Sequence, residues 1–296
     1  MTQPILCIGS MHWDLIGRTD AAVSTGADVP GRISRQPGGV ALNVAIGLRR
    51  YDMEVVLLSA VGQDRDGDSL LAFASNRGVT VDHVQRMAER STGRYVAIEC
   101  RGQLHAAVAD VRTVETAAAR LLDPLTSGRL TSEQGPWTGT VVIDGNLPET
   151  LLQDWSVHPA LSLADLRLVS ASPAKVRRLR PFLELPGATL YLNRLEAGQM
   201  CGREFPTAQA AVQTLSMFSP AHIVVTDGER GIAAKTGRQV LTVQPDGVRA
   251  IQSTGAGDVF VAAHIHAESQ QLSPMEALTV AARSATWHVG GTDCRP

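Results

Sequence analysis

The sequence predicts an α/β fold, a doubly wound and mostly parallel β-sheet flanked by helices. Three observations carry this. Short apolar runs recur along the chain and end in glycine or small polar residues, as in Pro4–Gly9 and in Thr140–Ile143 before Asp144-Gly145-Asn146. Helical patterns stand between these runs and give β-α-β-α-β by Val84, the order of a parallel sheet with right-handed crossovers. Only 4% of the 296 residues are aromatic and alanine is abundant, which suits helices packed on a sheet.

Bulk properties narrow the function classes. A chain of 296 residues can bury a core that needs no disulfide or metal staple. No linker or repeat divides it, so one domain is expected over 1–296. A formal net charge of −2 gives no electrostatic case for nucleic acid or an anionic membrane. Cys7, Cys100, Cys201 and Cys294 are scattered without a Cys-x-x-Cys pair, which argues against a zinc site and suits a reducing cytoplasm. No signal peptide or membrane-spanning run is visible.

Pro4–Gly9 reads as a buried first strand, and Ser10–Asp14 follows at its carboxyl end, where open α/β sheets place ligands. Asp14 there is either a turn residue or an acceptor of hydrogen bonds from substrate hydroxyls. Leu15 to about Arg35 mixes Gly, Asp, Thr and Pro with sparse alternation and reads as an excursion from the main sheet. Gly38-Gly39 then opens a helix to about Tyr51, and paired glycines permit close backbone approach to a ligand. Asn43 falls one turn in, among apolar neighbours, within reach of such a ligand. Glu54–Val61 reads as a second strand, Asp68–Arg77 as a helix, and Val79–Val84 as another short strand.

Thr92–Cys100 and Gln103–Val108 alternate around Arg101-Gly102, which predicts a β-hairpin. With the earlier excursion it would form a small sheet able to cover a site, a lid built from about 15–35 and 92–110. Asp110 ends the hairpin, either as an ordinary turn residue or facing the covered site. Glu115–Leu122 is helical and Asp123–Thr138 loop-like. Pro148–Trp155 is a helix and Leu166–Val169 a strand. Lys175–Leu183 is a helix whose basic run reads most simply as a solvated face. After the strand Thr189–Leu192 stand Asn193 and Glu196, three apart at a helix start. That spacing makes a capping box, or a pair able to order water around Mg²⁺. Ile223–Val225 is a buried strand before Thr226-Asp227-Gly228-Glu229-Arg230-Gly231, and Ile232–Ala234 with Gln239–Val243 form a closing hairpin.

Ser253-Thr254-Gly255-Ala256-Gly257-Asp258-Val259-Phe260 precedes an apolar small-residue helix, and Pro274 to about His288 forms the last one. Glycines leave the backbone bare where the earlier of these helices begins. Bare N–H groups backed by the helix dipole make an anion site. Asp258 inside it either caps the helix or removes a proton from a hydroxyl that attacks a phosphate. Strand ends and helix starts would bring Asp14, Gly38-Gly39, Asn43, Asn193, Glu196 and this turn to one sheet edge. Such a set suits phosphoryl transfer to an alcohol.

The chain resembles the ribokinase-type (PfkB) family of carbohydrate and nucleoside kinases along nearly its whole length. The resemblance rests on Gly38-Gly39-Val40-Ala41-Leu42-Asn43-Val44-Ala45, on Ser253–Phe260, on Asn193-x-x-Glu196 and on Thr226-x-Gly228-x-x-Gly231. It implies a ribokinase-like fold, with Asp258 as catalytic base and Gly255, Ala256 and Gly257 as an anion hole. It places the acceptor on Asp14, His12, Gly38, Gly39, Asn43 and Asp110. It places ATP on Asn193, Thr226, Gly228, Gly231, Thr254, Gly255 and Gly257. Mg²⁺ would lie near Glu196 and Asn193, largely through water.

Gly39-Val40-Ala41-x-Asn43-Val44-Ala45, Ala106–Asp110, Asp144–Glu149 and Leu192–Ala197 resemble pseudouridine kinases within that family. The implied reaction is phosphorylation of a nucleoside 5′-hydroxyl, most like that of pseudouridine. The alternatives are a sugar kinase for ribose or a ketohexose, and a non-catalytic nucleoside or nucleotide sensor. Gln252 stands where the family usually has Asp near a monovalent cation, so a K⁺ requirement does not carry over. His12 stands where such kinases commonly have Asn. Lid sheets of this kind often pair between subunits, which makes a homodimer through the lid an expectation. The implied protein is cytoplasmic.

Overall fold

The computed structural model describes residues 3–130, 135–237, 239–248 and 254–291. Its first strand, β1 (Ile5–Ile8), shows how the layers arise. Side chains alternate across a strand, and here both sides are apolar. Leu6 and Ile8 enter one core with Leu152, Phe182, Met200 and Val212, whereas Ile5 and Cys7 enter another with Leu42, Phe260 and Leu278. A sheet apolar on both faces needs helices on both, the doubly wound condition.

The strands that follow are β2 (His12–Thr19), β3 (Arg32–Gly38), β4 (Val55–Leu58), β5 (Ala60–Gly62), β6 (Gln85–Met87), β7 (Arg94–Cys100) and β8 (Gln103–Asp110). Then come β9 (Thr140–Asp144), β10 (Asp165–Val169), β11 (Thr189–Asn193), β12 (His222–Thr226), β13 (Ile232–Thr236) and β14 (Gln239–Val243). The α-helices are α1 (Val40–Arg49), α2 (Arg65–Ser75), α3 (Arg112–Ala117), α4 (Asp123–Thr126), α5 (Glu149–Ser156), α6 (Arg194–Cys201), α7 (Ala208–Ser216), α8 (Ala256–Ser269) and α9 (Pro274–Val289).

The main sheet has eight strands in the order β14-β13-β12-β11-β10-β9-β1-β4. Pairings from β12 to β4 are parallel, and β13 and β14 close the far edge antiparallel. From β1 the chain adds β4 on one side and later β9 on the other. The order therefore reverses at β1, and such a switch point opens a crevice at the carboxyl ends of the strands.

The excursion and hairpin form a separate four-stranded sheet, β3-β2-β7-β8. It starts earlier than expected: His12 and Asp14 lie within β2, paired with Gly38 and Gln36 of β3. One face turns His12, Asp14, Ile16 and Ala97 inward, all buried. The other exposes Ile33, Val96, Ile98 and Val108.

Several elements differ from the sequence expectation. Glu54–Val61 is broken at Ser59, whose hydroxyl donates to the Gly9 carbonyl, so β4 joins the main sheet and β5 pairs with β6. Val79–Val84 is no strand; only Thr80 makes an isolated bridge to Val56. Val176–Glu184 is a 3₁₀ helix that contains Pro181. Its basic run is not simply solvated. Arg177 and Arg180 donate to the Gln199 and Met200 carbonyls at the end of α6, and Arg178 donates to the Asn146 and Leu147 carbonyls. Those carbonyls have no partner within their own helix or turn, and the guanidinium groups satisfy them.

Candidate active site

Two helix starts face each other at the switch point. α1 and α8 cross closely because Gly47 and Ala262 meet there: a Cβ on Gly47 would lie 2.7 Å from the Ala262 Cβ. That contact brings the first turn of α1 to the first turn of α8, where Asn43 Nδ2 donates to Asp258 Oδ2 at 2.8 Å. Asp258 keeps some solvent contact, yet protein surrounds its carboxyl closely enough to push its pKa up to about 7. Burial is the main cause. The Asn43 hydrogen bond opposes it, and the charges of Asp144, Asp14 and Glu196 reinforce it.

The turn before α8 is held open by glycine. Gly255 is left-handed at φ 84°, and α8 begins without a side-chain cap. Among the described residues, a Cβ on Gly257 would meet nothing within 4 Å beyond its own helix backbone and chain neighbours. In contrast, Gly38 and Gly39 are bare because protein is near. A Cβ on Gly38 would sit 2.3 Å from both Asp14 carboxylate oxygens. Gly39 has φ 104°, and its Cβ would lie 2.4 Å from the Ser10 carbonyl oxygen. These glycines let β3 and α1 close around Asp14.

Asp14 and His12 are both buried, with His12 Nε2 3.2 Å from Asp14 Oδ1. Asp14 Oδ1 and His12 Nδ1 nevertheless have no hydrogen-bond partner among the described residues. Buried polar atoms are rarely left unpartnered without a reason, and these two are suited to a ligand.

Two cavities border the turn that opens α8, one at Ala256 and Gly257 and the other at Thr254 and Gly255, and Asp258 itself lines neither. One, of about 420 Å³, has largely apolar walls from Ile232, Val248, Phe260, Ala285 and Val289, with Thr226, Gly228 and Gly257 among its lining. The other, of about 190 Å³, is lined by Asp14, Asn43, Arg50, Thr254, Gly255 and His288. Gly231 lines neither. It is left-handed at φ 116°, and its carbonyl accepts the Asp227 N–H at 2.9 Å, which closes the turn before β13.

Asn193 and Glu196 form the capping box: Asn193 Oδ1 accepts from the Glu196 N–H, and Glu196 Oε2 accepts from the Asn193 N–H. The structural alternative therefore holds. It does not exclude a second role, because burial raises the Glu196 pKa and a cation nearby would relieve that strain. No group of three or more His, Cys, Asp or Glu forms a metal cluster among the described residues. Hard carboxylate and amide oxygens with few protein ligands fit Mg²⁺, which keeps several waters. Asp110 is not brought to either cavity lining. Its carboxylate is forked by Arg112 Nε and Nη2 at 2.9 and 2.7 Å. Gln252, Ser253 and Cys294 lie outside the described residues.

The model of the pfkB family carbohydrate kinases matches residues 2–296. The chain belongs to this family. It is accordingly a kinase, and its fold is ribokinase-like. The Bacillus subtilis ribokinase is 25% identical over 96% of this chain and 92% of its own. The Escherichia coli pseudouridine kinase is 26% identical over 87% of this chain and 81% of its own. The structure of Arabidopsis thaliana ribokinase with ribose and ATP superposes with a TM-score of 0.76 at 20% identity, covering 98% of this chain and 93% of that one.

Two features near the site were not among the residues expected there from the sequence. Asp144 at the end of β9 is fully buried and accepts from the Ser10 N–H and hydroxyl and from the Asn146 N–H, while Lys175 Nζ donates to Asn146 Oδ1 at 2.6 Å. This network ties the end of β1 to the end of β9 at the switch point. His288, from the last turn of α9, places Nε2 2.9 Å from the Thr254 carbonyl oxygen. The Asp144 network has a sequence signal, an acidic residue closing an apolar strand. His288 has none.

Proposed function

We propose that this pfkB kinase phosphorylates the 5′-hydroxyl of a nucleoside, with pseudouridine as the acceptor and pseudouridine 5′-phosphate as the product. The observation that carries the proposal is Asp258 on a helix start with bare amides, in a turn whose Gly255 lines one cavity and whose Ala256 and Gly257 line the other. The larger, apolar cavity suits the purine of ATP, and the smaller one, which Asp14 lines, suits a polyhydroxylated acceptor.

Asp258 accepts the 5′-hydroxyl proton as that oxygen bonds to the γ-phosphorus and the bond to the β-phosphate oxygen breaks, leaving ADP. Asn43 aims the carboxylate. The Gly255, Ala256 and Gly257 amides meet the charge on the transferring phosphoryl group. Asp14, Gly39 and Asn43 hold the acceptor, with His12 beside them, and Asp110 stays outside this set in its pair with Arg112. Thr226, Gly228 and Thr254 border the nucleotide. Mg²⁺, when bound near Glu196 and Asn193, supplies charge neutralisation on the phosphate oxygens. The four-stranded sheet is the lid, which excludes water and limits ATP hydrolysis. Its exposed apolar face, with Ile33 81% and Val108 71% exposed, is the surface through which two copies pair.

Pseudouridine is favoured by the quoted local stretches and by the pseudouridine kinase among the relatives. Ribose is the second reading, since a ribokinase matches as broadly. ATP-to-ADP turnover with Mg²⁺ against pseudouridine, uridine, cytidine, adenosine, ribose and fructose separates them. Preference for pseudouridine is expected. Preference for ribose or fructose replaces the acceptor and keeps the chemistry, and no turnover with any of them contradicts the proposal.

A further inference from the structure

We infer that His288 is a positioning residue that sets the orientation of the anion-binding turn. The inference rests on the kinase reading of that turn. A carbonyl oxygen only accepts, so the 2.9 Å contact between His288 Nε2 and the Thr254 oxygen requires the hydrogen to be on Nε2. The Thr254 carbonyl and the Gly255 N–H share one planar trans peptide and point in opposite directions. Holding the carbonyl against α9 therefore turns the Gly255 N–H away from His288.

The turn needs such a tether. Gly255 carries no Cβ, adopts φ 84°, and follows no side-chain cap, so nothing within α8 fixes the peptide before it. The imidazole also backs the glycine directly: a Cβ placed there would lie 3.5 Å from His288 Nε2. The same helix reaches both cavities. Ala282, Ala285, Thr286 and Val289 of α9 line the larger one, and His288 lines the smaller. A base seated in the larger cavity packs on α9, one turn or less from the group that holds the Thr254 carbonyl. His288 thereby ties nucleotide occupancy to the orientation of the amides that receive the phosphate.

The test compares His288→Gln, whose amide can donate to the same carbonyl, with His288→Met, which fills similar space and cannot donate. Two readouts are taken: steady-state kinetics, and hydrogen exchange of the Gly255 and Ala256 amides with ATP present and no acceptor. His288→Met is expected to lose about tenfold or more in kcat, with KM for ATP and acceptor within about threefold. Its turn amides should exchange roughly fivefold faster, while His288→Gln stays near wild type in both. Equal kcat and equal exchange in the Gln and Met variants would overturn the inference. If His288→Met does not fold, a Gln variant that loses kcat and slow exchange also overturns it. The exchange measurement uses no acceptor, so a wrong acceptor assignment leaves it decisive.

Discussion

Asn43 Nδ2 donates to Asp258 Oδ2 across 2.8 Å, joining helix starts 215 residues apart in the chain. The pair exists because Gly47 and Ala262 let α1 and α8 approach, and it gives Asn43 an effect on the carboxylate it touches. The hydrogen bond favours the ionised carboxylate, against the burial that raises its pKa. Asn43→Leu is expected to raise the pKa seen in kcat/KM by about one unit and to lower kcat about tenfold. A pH–rate profile of the variant checks this, and an unmoved profile contradicts it.

The pH dependence of the wild type follows with its sign. In the proposed role of base Asp258 must be ionised, so kcat/KM should rise with pH and level off above about 7. Stability moves the other way. The folded pKa lies above the unfolded value of 3.8, so the folded protein holds its proton longer. This contribution is intact below the unfolded value and lost as the pH rises to about 7. Asp258→Asn should match wild-type stability near pH 4 and exceed it by about 1 kcal/mol at pH 8, after discounting for solvent contact. Denaturant melts at both pH values check the crossing.

Gly38→Ala tests the fit around Asp14. Its methyl would need the place of the Asp14 oxygens, 2.3 Å away, so the carboxylate must shift. The expected result is a KM for the acceptor raised about tenfold or more, with KM for ATP within about threefold. Gly39→Ala combines a left-handed backbone with a clash against the Ser10 carbonyl and should cost about 2 kcal/mol or more of stability.

The larger cavity makes a complementary prediction. Ala285→Phe fills space between α9 and β13, so KM for ATP should rise about tenfold while the acceptor KM holds. Initial-rate kinetics in both substrates distinguish this from a general loss.

The exposed face of the four-stranded sheet carries Val96 and Ile98 beside each other on β7. Val96→Glu with Ile98→Lys should convert a dimer to a monomer in analytical ultracentrifugation. A wild type that sediments as a monomer contradicts pairing through this face.

Much of this was legible because glycine turns act locally. Gly38-Gly39 and Gly255-Ala256-Gly257 need particular backbone geometry, and sequence shows that need directly. Asn193 and Glu196 were legible as a capping box for the same reason. Val79–Val84 misled because apolar alternation does not say which neighbour a strand will find, and only Thr80 found one. Helix α7 carried a readable signal, Thr207 capping the Ala210 N–H with Ala208, Ala211, Val212 and Leu215 on one buried face, yet the stretch is easily passed over. The strand order, the burial of Asp144 and the contact of His288 with Thr254 depend on pairings between distant segments. Local pattern holds no record of those. Asp110 was ambiguous in sequence because its partner, Arg112, lies only two residues away and reads as an ordinary turn neighbour.

The proposed reaction turns on Asp258 as the base. Turnover and ATP binding by Asp258→Asn test it most directly, measured on the same folded protein. The expected result is a fall in kcat of about a thousandfold or more with the Kd for ATP within about threefold. Turnover near the wild-type rate would contradict it.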